Sequence, residues 1–277
     1  MTVTITLHIF SGRADPSWEL SDAQIRELAD RIKKISKTTL LKPIGVTGLL
    51  GYRGFSVVAV REKSLDPHIY IHDGIVDLDR FNINLIEDNH DLEAWLLSTA
   101  GLTVPDDVVK VVQSEFSRSV WKGLSTPFSP FSVPPFDPGK WNNDPNIRQH
   151  NNCYNYANDK ITNTFAQPGL GSGVMYTAFD CGNVGSASQR DGQSQVGPPS
   201  TTPAQGHFIA LVIWAGYDFH WYRQDNNDKW SHKPGQSPAR NVDNSGHLIG
   251  DPRTCDRGPY VNFCSFYHCI PATTRIR

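Results

Sequence analysis

The chain has 277 residues, enough for one large domain or two of ordinary size, each with a real core. Its 26 basic and 28 acidic residues nearly cancel, which argues against a nucleic-acid footprint or a polybasic membrane anchor. No run approaches the roughly 20 apolar residues of a membrane helix, and the 22 Gly and 19 Pro point to long irregular segments.

The opening "TVTITLHIF" alternates with period two. It reads as a strand and not as a signal peptide, which favours cytoplasmic synthesis and leaves a non-classical export route open. "ELSDAQIRELADRIKKI" predicts a helix. Ser21 caps it, Gln24 completes a capping box, and Leu20 with Ile25 makes a hydrophobic staple. Its apolar stripe is Ile25, Leu28, Ala29, Ile32 and Ile35. "GFSVVAV" and "HIYIHDGIVDL" read as further strands; "DLEAWLLSTA" and "PDDVVKVVQSEFSRSVW" read as helices. This order gives residues 1–121 as a small α+β domain, regulatory or for recognition.

Residues 122–149 form a Pro-rich strap. Prolines 127, 130, 134, 135, 138 and 145 are expected to forbid helix and interior strand. Phe128, Phe131, Phe136 and Trp141, interleaved among them, suit a segment lying along a protein surface.

Residues 150–277 read as a second, loop-rich α+β domain. A short helix follows Cys153, residues 182–206 are expected to be a long Gly/Ser/Gln/Pro loop, and "HFIALVIW" is a buried strand paired with "DFHWYRQD" through the turn "AGYD". The five cysteines are Cys153, Cys181, Cys255, Cys264 and Cys269, so one thiol is left over if the chain oxidises, and the simplest split leaves Cys153 free. Cys181 and the three C-terminal cysteines admit disulfides, reduced packing or, with His268, structural zinc, although only Cys264 and Cys269 approach the close spacing zinc favours. No cofactor is implied.

Cys153 opens a helix behind Asn151 and Asn152, a position that lowers a thiol pKa. A thiol nucleophile needs a base, and the base needs an orienting group. His207 heads the buried strand; His220, Gln224 and Asp225 on the next strand are candidates to orient it. Trp221, Tyr222 and Trp230 could wall a substrate cleft, with Arg223 for a carboxylate and His232 as a further polar contact. They could equally be cross-strand pairs of a hairpin.

A cysteine opening a helix in "NCYNYA", a histidine heading a strand in "GHFIALVIW" and a polar group on the next strand resemble the papain-like cysteine hydrolases, especially their NlpC-type and CHAP-type amidase and peptidase branches. The resemblance implies a soluble thiol protease or amidase acting on a peptide, a cell-wall peptide or a side-chain amide. In it Cys153 is nucleophile, His207 base and His220 or Asp225 orienter, with Gln149 and the Cys153 N–H as oxyanion donors. Asn152 stands where the NlpC-type enzymes have aspartate, and Tyr154 where papain-type enzymes often have tryptophan. The rival expectation is a non-catalytic ligand-binding or toxin-like effector module with structural cysteines.

Overall fold

The computed structural model describes residues 2–37, 49–60, 62, 64–78, 83–86, 90–116, 133–199 and 203–277. It is an α+β protein with two compact units. Met1–Ile9, Asp15–Thr47 and Gly51–Ser119 form the first; Phe10–Ala14, Gly48–Leu50 and Val120–Arg277 form the second. No helix among the described residues is long and apolar enough to cross a membrane.

In the first unit the described strands β1 (Thr2–Leu7), β2 (Ser17–Glu19), β3 (Ser36–Lys37), β4 (Phe55–Val60), β5 (His68–His72), β6 (Ile75–Leu78) and β7 (Ile83–Ile86) make a seven-stranded antiparallel sheet, in the order β2-β1-β4-β5-β6-β7-β3. β1 (Thr2–Leu7) buries Val3, Ile5 and Leu7 on one face, as its alternation requires, and pairs with β4 (Phe55–Val60). "HIYIHDGIVDL" bends into a hairpin, β5 (His68–His72) and β6 (Ile75–Leu78). Asp73 and Gly74 both take positive φ there, the geometry that matches the twist of a two-residue hairpin. Helix α1 (Asp22–Lys34) has the Ser21–Gln24 capping box and buries Ile25, Leu28 and Ala29. Helices α2 (Asp91–Ser98) and α3 (Asp106–Glu115) follow; the rest of the helix expected to 121 lies outside the described residues.

The strap expected over 122–149 is described from Val133. Its Pro134 carbonyl accepts from the Asn226 amide at 3.1 Å, and its Pro135 carbonyl accepts from Arg223 at 3.0 Å. Pro138 and Pro145 do not forbid helix here. Each stands in the first turn of a short helix, α4 (Pro138–Asn142) and α5 (Pro145–His150), where the missing N–H would have had no partner.

In the second unit the described strands β8 (Ser194–Val196), β9 (His207–Trp214), β10 (Asp218–Gln224), β11 (Trp230–His232) and β12 (Asn262–Cys269) run in the order β11-β10-β9-β12-β8, all antiparallel. β9 (His207–Trp214) and β10 (Asp218–Gln224) form the expected hairpin. Strand β12 (Asn262–Cys269), between β9 and β8, was not foreseen. The loop expected over 182–206 is instead a ten-residue helix, α7 (Cys181–Arg190), followed by β8 (Ser194–Val196). Asp180 caps α7 by accepting from Asn183 N–H at 2.8 Å, and a disulfide joins Cys181 to Cys264 on β12. Gly185 is needed by packing: a Cβ there would stand 2.3 Å from the Tyr267 hydroxyl. Helix α6 (Cys153–Ala157) packs with α7 on one face of the sheet, over Ile209, Leu211, Ile213, Phe219, Trp221 and Tyr267.

Candidate functional site

Asn152 caps α6 by accepting from the Tyr154 and Asn155 amides, while Asn155 returns a bond to the Asn152 N–H. This reciprocal pair places Cys153 at the helix start. The thiol there is fully buried, and its Sγ lies 4.0 Å from the Phe219 carbonyl. Burial pushes the thiol well above its ordinary range, and the Asp218 carboxylate pushes it further. The expected depression by the helix terminus is reversed.

His207 meets α6 at its other end, with Nε2 donating to the Ala157 carbonyl at 2.6 Å. Phe219, beside the sulfur, pairs with Ile213. At about 3.3 Å per residue, Ile213 stands roughly 20 Å along β9 from His207. Burial carries the His207 imidazole down to about 4. On β10 the side chains alternate, so Phe219 and Trp221 join the Cys153 core while His220 projects to the opposite face. There its Nε2 lies 3.0 Å from Nδ1 of His232. The second nitrogen of His232 faces the Val242 carbonyl at 3.2 Å, and burial pulls this imidazole down to about 3. Gln149 is on α5 and exposed, whereas Cys153 is fully buried. His220 thus lies on the face of the sheet opposite Cys153, and His207 bonds the C-terminal end of α6.

Asp225 and Arg223 serve each other. The Arg223 guanidinium reaches Asp225 at 3.1 Å, Asp159 at 3.0 Å and the Tyr156 hydroxyl at 3.0 Å, and Asp225 also accepts from Ser231 at 2.9 Å. Desolvation raises the Asp225 carboxyl despite the arginine. Trp221 packs between Tyr154 and Tyr267, Tyr222 stacks on His232, and Trp230 lies against Phe266. All three rings are buried, as are Arg223 and His232, so this hairpin is core and cross-strand pairing.

The C-terminal cysteines divide differently from one another. Cys264 is in the disulfide, the buried Cys269 thiol donates to Asn158 at 3.4 Å, and half-buried Cys255 lies 3.8 Å from the Tyr222 hydroxyl. His268 faces the Gln205 carbonyl at 2.6 Å. Among the described residues no group of three or more His, Cys, Asp or Glu could hold a metal ion.

A densely satisfied polar centre that the sequence did not disclose is Asp218. The amides of Ser11, Gly12 and Arg13 converge on its buried carboxylate at 2.5, 3.1 and 3.1 Å, and the Tyr260 hydroxyl donates to it as well. Burial lifts this carboxyl to about 6 against the pull of those donors. The available signal was slight: a lone aspartate at the start of a hairpin strand, and a Ser-Gly-Arg run far upstream.

No protein-family model and no solved structure matches the chain. Insoluble matrix shell protein 1 of Ruditapes philippinarum is 53% identical over 128 residues, which are 46% of this chain and 84% of the relative. This relative overturns the papain-like assignment, and with it the hydrolase, peptidase, amidase and thiol-protease readings. The order of cysteine, histidine and polar group along the chain matched that fold class, but order along a chain does not fix distance in space.

Proposed function

The chain belongs to the family of insoluble matrix shell protein 1, and from that premise we propose that it is a non-catalytic structural constituent of an insoluble matrix. The 53% identity, spanning 84% of the relative, carries the proposal. It lies closer to the non-catalytic alternative than to any enzyme. The buried Cys153 thiol and the buried His207, His220 and His232 agree with such a role, since none is exposed to a substrate. The Cys181–Cys264 disulfide suits a protein working in an oxidising compartment. Its partners are then other matrix proteins, copies of itself included.

The test compares the unmodified protein with Cys153→Ala. Both are expected to leave peptide and amide substrates uncleaved and to enter an insoluble matrix preparation to the same extent. Turnover by the unmodified protein that Cys153→Ala abolishes would overturn the reading.

A further inference from the structure

We propose that the second unit carries a recognition site for the segment Ser11-Gly12-Arg13, and that this site accepts the segment from a second copy of the chain as well as from its own. The segment is bounded on both sides, at Ile9 and Asp15, by residues of the first unit, yet Phe10–Ala14 belongs to the second.

The site is built as a ligand site would be. Three consecutive backbone N–H groups meet one buried carboxylate, the arrangement by which a peptide nest holds an anion, here supplied by Asp218. The segment's carbonyls are matched too. Gly12 O accepts from Asn152 Nδ2 at 3.1 Å and from Gln167 Nε2 at 2.8 Å, and Ser11 O accepts from Gly235 N–H at 3.1 Å. The Ser11 hydroxyl pairs with that of Tyr260 at 2.9 Å. Arg13 donates to the Tyr217 carbonyl at 3.1 Å, and its guanidinium lies 5.3 Å from the centre of the Phe179 ring.

Selectivity is written into the middle position. A Cβ on Gly12 would stand 2.5 Å from the Phe219 ring and 2.6 Å from the Phe219 carbonyl oxygen, so only glycine fits. The same contacts form whichever copy supplies the segment. Effective concentration therefore decides between the two sources. Crowding copies together favours exchange, and an exchange that does not close links them into chains. Such linkage rests on the matrix role proposed above, but the binding itself does not.

The experiment uses the full chain carrying Gly12→Val, whose own segment cannot seat, and a fluorescent peptide of sequence FSGRA. Fluorescence anisotropy is expected to show saturable binding, weakened at least tenfold when the peptide glycine is replaced by valine or when Asp218→Asn is added to the protein. No saturable binding to folded Gly12→Val protein would overturn the proposal. Should that variant fail to fold, native mass spectrometry of the unmodified chain supplies the answer. Oligomers forming with rising concentration and dispersing with FSGRA, but not FSVRA, are the expected result. A chain that stays monomeric, or oligomers that ignore FSGRA, would overturn it. A protein that binds FSGRA but never enters an insoluble matrix would defeat the matrix reading alone.

Discussion

A thiol on the first turn of a helix gains at most about 2 kcal/mol from the terminus, and α6 has only five residues. Burying an unpaired anion costs several kcal/mol. At Cys153 the second effect wins, and Asp218 adds a like charge. Iodoacetamide at neutral pH is therefore expected to label half-buried Cys255 at least tenfold faster than Cys153 or Cys269, as read by mass spectrometry of the folded protein. Faster labelling of Cys153 would contradict this ordering. The buried histidines set a pH dependence. His207 and His232 fall from 6.5 to about 4 and about 3, so between pH 6.5 and those values the unfolded chain binds more protons than the folded one. Stability then falls as pH falls. Asp218, raised from 3.8 to about 6, acts with the opposite sign over its own interval, and the raised carboxyls of Asp191 and Asp225 act with it. The two imidazoles are shifted over wider intervals than Asp218, so the urea midpoint is expected to be lower at pH 5 than at pH 7. An unchanged or higher midpoint at pH 5 would show that the imidazoles are not held neutral.

Elements were legible where a local rule and tertiary packing agreed. β1 shows alternation, α1 shows a capping box and an apolar stripe, and the β9–β10 hairpin shows an apolar run followed by a Gly-containing turn. Helix α7 was hidden because Gly182, Gly185, Ser186 and Ser188 are poor helix formers, and what holds it is the Asp180 cap, the disulfide and close contact with Tyr267. Strand β12 was hidden because its cysteines and histidine drew a metal reading away from its aromatic pattern. The proline helices were missed because the first helical turn exempts proline from its usual exclusion. Two predictions belong to this scale. Replacing Cys181 and Cys264 together by serine removes a cross-link spanning 83 positions, and chain entropy puts the loss at about 4 kcal/mol, measurable as a lower urea midpoint. Gly185→Ala should cost about 1–3 kcal/mol through overpacking against Tyr267. A neutral outcome in either case would mean that α7 is held by something else.

For the whole molecule, the α+β class was readable from the mixture of alternating runs and capped helices, whereas the function was not. Cys153, His207 and His220 stand in an order that a hydrolase would use, but strand alternation puts His220 on the far face of the sheet and α6 holds His207 at its C-terminal end. Asp218, where three backbone amides and a tyrosine hydroxyl converge, depends on partners far away in the chain that no local pattern links to it. Membership in the family of a shell matrix protein therefore rests on sequence identity, beside which the fold contributes the Cys181–Cys264 disulfide and the buried Cys153 and Cys269 thiols. The most direct measurement is sequential extraction of the source tissue with buffer, chelator, detergent and denaturant, each fraction probed with an antibody to this chain. Retention of most of the protein in the residue left after chelator and detergent is the predicted result; recovery in the first buffer extract would contradict a matrix role.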